Sequence, residues 1–179
     1  MVKKKCVFLD RDGVVNRSDI IKGKPFAPTQ SQNFIFLPKV KQAIKLLKEN
    51  KYLVIIITNQ PDLSNGKMSK SEFNLMTEKI NKTTAVDDLI YCPHLESDNC
   101  KCRKPLPGMI LHAAKKYNID LKRSFMIGDR KKDIEAGQKA NCKTIYIQRK
   151  YIEKPPKDFD FIFNTLYSAS NFIINHKHV

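Results

Sequence analysis

The 179-residue chain has no tryptophan and only 9% aromatic residues, too few for the stacking platform on which single-stranded nucleic acid is held. No apolar run approaches the ~20 residues of a membrane-spanning helix, so no membrane association is expected. Internal repeats and low-complexity segments are missing too, which argues against a solenoid. The start, Met1 to Asp10, has three lysines and a short apolar stretch but no small-residue cleavage site, and is read as a first strand of a cytoplasmic protein. Acidic residues are scarce: 18 Asp and Glu face 33 Lys and Arg, for a net charge of +15. That surplus attracts anions of every kind. The lysines are nevertheless spread through every segment, and no nucleic-acid motif accompanies them, so no nucleic-acid partner is expected. Five cysteines, an odd number behind no signal peptide, argue against a disulfide framework.

What is present reads as one α/β domain over residues 1–179, expected to be a monomer. Short apolar runs of the kind that form buried parallel strands occur at Cys6–Leu9, Leu53–Ile57, Leu89–Tyr91, Phe125–Ile127 and Thr144–Ile147. Helical stripes lie between them: Val40, Ala43, Ile44 and Leu47; Phe73, Met76 and Ile80 behind a Ser69–Glu72 capping pair; Met109–Tyr117 opened by Pro107; and Asp133–Ala140. Strand alternating with helix predicts a central parallel sheet covered on both faces, a three-layer sandwich. Phe159–Phe163 and Leu166–Ile174 are expected to close it as an edge strand and a helix. Two stretches, Arg17–Leu37 and Pro93–Pro107, break the alternation as excursions, and His176 to His178 read as a frayed tail.

In an open α/β sheet, ligands bind at the carboxyl ends of the strands, so the polar residues that stop each apolar run carry the functional signal. Here the stops are Asp10-Arg11-Asp12-Gly13, Thr58-Asn59-Gln60 and Gly128-Asp129-Arg130-Lys131-Lys132-Asp133. Several carboxylates gathered at one edge repel one another, and a hard divalent cation such as Mg²⁺ relieves that repulsion. A separate constellation, Cys92-Pro93-His94 followed by Cys100-Lys101-Cys102, has the ligand types and spacing of a closed Cys₃His zinc site in a loop of about 92–107. A closed site leaves no open position for a reacting water, so this zinc is expected to be structural. Cys6 and Cys142 fall in or beside apolar strands and are expected to be buried packing residues.

These motifs, in this order, resemble the haloacid dehalogenase superfamily of phosphohydrolases. The resemblance implies a Rossmann-like sandwich with almost no cap, and an aspartyl-phosphate mechanism. It implies Asp10 as nucleophile, Asp12 as general acid and base, Thr58 and Lys104 as holders of the phosphoryl oxygens, and Mg²⁺ held by Asp10, Asp12 and Asp129, with Asp133 supporting that shell. Thr58-Asn59-Gln60, the zinc loop, Arg103-Lys104-Pro105-Leu106-Pro107-Gly108-Met109 and Asn33-Phe34-Ile35-Phe36 are similar to the branch that removes the C7 phosphate of a heptose 1,7-bisphosphate in surface-polysaccharide synthesis. By that likeness Asn59, Gln60, Arg103 and Arg130 contact a small phosphorylated sugar. The segment Pro61-Asp62-Leu63-Ser64-Asn65 departs from the branch and adds a carboxylate, and Arg17–Pro28 carries no substrate contact over. The related histidinol-phosphate phosphatases share the nucleophile, threonine and zinc motifs and are the alternative. A zinc-bearing nucleic-acid-binding protein without activity is a lesser one.

Overall fold

The computed structural model describes residues 2–176; Lys177 and His178 of the expected tail lie outside them. Six strands form one parallel sheet. In chain order they are β1 (Cys6–Leu9), β4 (Leu53–Asn59), β5 (Asp88–Cys92), β6 (Phe125–Gly128), β7 (Lys143–Ile147) and β8 (Phe161–Phe163), with β2 (Asp19–Ile21) and β3 (Lys24–Phe26) set apart as an antiparallel hairpin. The sheet order is β5-β4-β1-β6-β7-β8. After β1 the chain winds outward through β4 and β5, then crosses back to β6 on the other side of β1. The reversal opens a crevice above the carboxyl ends of β1, β4 and β6.

Alternation along the strands builds two cores. Val7, Leu9, Val54 and Ile56 face α1 (Val40–Glu49), α2 (Lys70–Thr83) and α5 (Leu166–Asn175), through Ile44, Met76 and Ile173 among others. Cys6, Phe8, Ile55 and Ile57 face α3 (Gly108–Tyr117) and α4 (Lys131–Lys139), through Ile110 and Ala136. Helices on both faces make the three layers expected, and Cys6 and Cys142 are buried in the second core as predicted.

The bounds differ where polar residues take part in regular structure. β4 runs two residues beyond the apolar stretch, so Thr58 and Asn59 belong to the strand and pair with Tyr91 and Cys92. α4 begins before Asp133, because that side chain reaches back to accept from the Arg130 amide at 3.0 Å. The edge strand is shorter than expected, Phe161–Phe163. Of the two excursions, the first holds the β2–β3 hairpin and then buries Phe34 completely in the core, and the second is the cysteine loop.

Candidate active site

Asp10 follows the end of β1, Thr58 lies near the end of β4 and Asp129 follows β6, so the topology alone brings the three motif stops to one place. Oxygens of Asp10, Asp129 and Asp133 lie within 4.8 Å of one another, and all three residues are buried. Among the described residues, one cation is ion-paired with them. Lys104, only 2% exposed, places Nζ 2.6 Å from Asp10 Oδ1, 2.8 Å from Asp133 Oδ1 and 2.9 Å from the Ile57 carbonyl oxygen. Burial works to lower the affinity of Lys104 for its proton, but the charges of Asp10 and Asp133 outweigh it and hold the ammonium above its ordinary range.

One ammonium does not neutralise three carboxylates. Burial first, then the charge of Asp133, pushes Asp10 up to about 6, against the pull of Lys104. Burial and the charges of Asp10 and Asp133 raise Asp129 well above the carboxylate range. Asp129 Oδ1 is buried with no hydrogen-bond partner, while Oδ2 accepts from the Tyr151 hydroxyl. An unpartnered buried carboxylate oxygen beside two more carboxylates is the donor set of a hard divalent cation, and the residues fit Mg²⁺. Gly13 belongs to the same design. At φ +93° it lies in the left-handed region, and a Cβ there would stand 1.8 Å from Asp129 Oδ2.

Asp12 points into a different set of partners. Arg11, fully buried, donates from Nε and Nη2 to its carboxylate at 3.0–3.1 Å, Asn16 Nδ2 donates to Oδ1 at 2.9 Å, and Gln60 Nε2 donates to Oδ2 at 2.8 Å. The guanidinium carbon also lies 5.9 Å from the ring centroids of both Phe34 and Phe73, so it is held by apolar walls as well as by charge. Gln60 additionally donates to Thr58 Oγ1 at 2.7 Å, which occupies an acceptor position and leaves the threonine hydroxyl proton for another oxygen.

Of the four residues expected to contact substrate, two serve other ends. Gln60, expected to contact substrate, is completely buried and does not line the cavity; its amide bridges Thr58, Asp12 and Arg11. Asn59 lines the cavity but commits its amide to the backbone of Lys104, donating to its carbonyl and accepting from its N–H, both at 3.0 Å. Arg103 lines the cavity while one Nη holds the His94 carbonyl at 2.9 Å, and Arg130 lines it paired through two nitrogens with Glu153. The cavity measures about 910 Å³, and Lys24, Pro25 and Phe26 of the hairpin form part of its wall, as do Asp62 and Lys132.

Ligand atoms of Cys92, His94, Cys100 and Cys102 lie within 4.8 Å of one another, separated along five edges by 3.2–3.6 Å. A zinc–sulfur bond of ~2.3 Å implies tetrahedron edges of ~3.8 Å, so the spacing of these four ligand atoms suits a zinc. Burial and the Cys102 thiol push Cys92 up to about 12; at Cys100, burial is outweighed by hydrogen bonds from the Arg103 and Cys102 amides and from neighbouring thiols, and the thiol falls to about 7. Three thiols that cannot all ionise together fit a metal that displaces their protons.

The sequence alone assigns no role to Arg11, Lys132, Tyr151 or Glu153. Arg11 was visible only as the letter between two aspartates, and its burial depends on Phe34 and Phe73 arriving from distant segments. Tyr151 and Glu153 sit in a stretch without periodicity.

A parallel sheet of this order, with an Asp-x-Asp loop, a strand-end threonine, a buried lysine and a carboxylate cluster at one switch point, defines a phosphohydrolase of the haloacid dehalogenase class. Residues 101–169 match a family described as "HAD-hyrolase-like". The chain is 34% identical to D-glycero-alpha-D-manno-heptose-1,7-bisphosphate 7-phosphatase of Photorhabdus laumondii, over 96% of this chain and 97% of that one. It is 38% identical to the D-glycero-beta-D-manno-heptose-1,7-bisphosphate 7-phosphatase of Pasteurella multocida over 78% and 79% of the two chains. Among solved structures it resembles the D,D-heptose 1,7-bisphosphate phosphatase of B. bronchiseptica, complexed with magnesium and phosphate, with a TM-score of 0.83 and 29% identity over 96% of this chain and 99% of that one. The chain belongs to the family of the heptose 1,7-bisphosphate 7-phosphatases and is a phosphomonoester hydrolase.

Proposed function

We propose that this enzyme removes the C7 phosphate of a D-glycero-D-manno-heptose 1,7-bisphosphate and leaves the C1 phosphate in place. The observation that carries the chemistry is the buried cluster of Asp10, Lys104, Asp129 and Asp133 under an open cavity; the substrate follows from the relatives, which are named for both anomers. Asp10 attacks phosphorus, forms an aspartyl phosphate and breaks the bond to the sugar oxygen, which Asp12 protonates. Asp12 then takes a proton from water as the water oxygen attacks phosphorus, the bond to Asp10 breaks, and inorganic phosphate leaves. The Thr58 hydroxyl and the Lys104 ammonium stabilise charge on the equatorial oxygens. Asp10, Asp129 and the Asp12 carbonyl would hold Mg²⁺, which supplies charge neutralisation at the phosphoryl group. Cys92, His94, Cys100 and Cys102 would hold a structural zinc, and reduced thiols there suit the expected cytoplasmic location. Of the two arginines that line the cavity, Arg103 is the better placed to hold the phosphate that does not react, because Arg130 is already paired with Glu153.

Phosphorus NMR of the reaction with each heptose bisphosphate anomer tests this reading. Loss of the C7 resonance with retention of the C1 resonance is expected. A kcat/KM for histidinol phosphate equal to or above that for the better bisphosphate would overturn the substrate and leave the phosphatase class.

A further inference from the structure

The loop after β7 reaches the site at several points that its sequence does not announce. Arg149 Nε donates to the Gly13 carbonyl at 2.9 Å, the Ile152 amide donates to the Gly23 carbonyl of the hairpin at 2.9 Å, and Glu153 holds Arg130. Between these anchors Tyr151, half-buried, sets its hydroxyl on Asp129 Oδ2. The same hydroxyl would lie 2.8 Å from a Cβ at Gly13, so phenol, carboxylate and glycine loop fill one space.

The consequence lies in how the two oxygens of Asp129 divide their work. Oδ2 has the phenol; Oδ1 is buried and has nothing. A buried carboxylate held at one oxygen cannot rotate freely about its side-chain bonds, and the oxygen left over is the one a cation can use. Groups that hold a ligand from behind in this way set its orientation, and their removal ordinarily costs 10- to 100-fold in metal affinity. We propose that Tyr151 is a positioning residue of the metal site: by donating to Asp129 Oδ2 it fixes that carboxylate and reserves Oδ1 for the divalent cation. The anchors on either side of Tyr151 explain how a residue in a loop can do this. This inference rests on the assignment of Asp10 and Asp129 to Mg²⁺.

The test is Tyr151→Phe, which keeps the ring and removes the donor, beside Glu153→Gln, which weakens the neighbouring anchor without touching Asp129. Mg²⁺ and Mn²⁺ dissociation constants are measured by calorimetry on zinc-loaded, substrate-free protein, together with the Mg²⁺ concentration for half-maximal hydrolysis of p-nitrophenyl phosphate. In Tyr151→Phe both cations should bind about 10- to 100-fold more weakly, and the half-activating Mg²⁺ concentration should rise by a like factor. Glu153→Gln should keep the parent's cation affinity. Equal cation affinity in Tyr151→Phe and the parent overturns the proposal, and so does an equal loss in both variants, which would make the effect one of loop anchoring. Absence of divalent-cation binding by the parent would instead bring down the metal assignment itself, and this inference with it.

Discussion

Asp10 and Asp12 differ by two positions and occupy unlike surroundings. Asp10 shares Lys104 with Asp133 at the buried cluster, whereas Asp12 is turned toward Arg11, Asn16 and Gln60. On the proposed mechanism, the arrangement would separate a nucleophile from an acid and base without any difference in side-chain type. Asp10→Asn should fold and lose turnover by several orders of magnitude, since an amide is no nucleophile; single-turnover assays that retain more than about a tenth of the rate would refute the role. Gly13→Ala should fail differently. Its Cβ would overlap Asp129 Oδ2 and meet the Tyr151 hydroxyl at a positive φ, so both folding stability and Mg²⁺ affinity should drop, measured by thermal unfolding and calorimetry.

At the scale of elements, the cysteine loop and β4 act through one another. Asn59 at the end of β4 clasps the backbone of Lys104, and Arg103 ties the loop back to the His94 carbonyl, so the cluster that closes the loop also sets where Lys104 emerges. Purified protein should carry about one zinc per chain. Cys100→Ala should raise hydrogen exchange across residues 93–107 before it affects the sheet and should lower turnover as Lys104 loses its place. Exchange confined to the global unfolding rate, with activity intact, would contradict that link. Helix α2 offers a simpler case: Ser69 accepts from the Glu72 amide at 3.1 Å, and Ser69→Ala should cost about 1 kcal/mol in denaturant unfolding with catalysis unchanged.

At the scale of the whole molecule the net charge is +15, and Lys24, Lys67, Arg103, Lys104, Arg130 and Lys132 line the cavity, of which Lys104 and Arg130 are ion-paired. Arg130 is tied to Glu153, whereas Arg103, with one nitrogen on the His94 carbonyl, is the arginine expected to share a second phosphate with the lining lysines. A charge-assisted hydrogen bond is worth about 1.5–3 kcal/mol, so Arg103→Ala should raise KM for the bisphosphate about tenfold or more while a small generic ester suffers less. Steady-state kinetics on both substrates checks this, and equal losses would show that Arg103 serves the reacting phosphate.

The sequence by itself determined the layers, the strand positions, the Cys92, His94, Cys100 and Cys102 cluster and the residues at the strand ends, because each is written locally: an apolar run for a buried strand, a 3.6-residue stripe for a helix, a polar stop where the strand meets the crevice. What those polar stops do to one another was decided only by the tertiary structure. Gln60 stands in the second motif near Thr58 yet is sealed inside, since its amide closes a network with Arg11 and Asp12 from the loop after β1. Asn59 spends its amide on a backbone 45 residues away, Arg130 is neutralised by a glutamate in a later loop, and Tyr151 reaches Asp129 from a stretch with no pattern at all. Periodicity records which face of an element is buried. It holds no record of which distant donor meets which acceptor, because that pairing exists only once the sheet order has set β1 between β4 and β6.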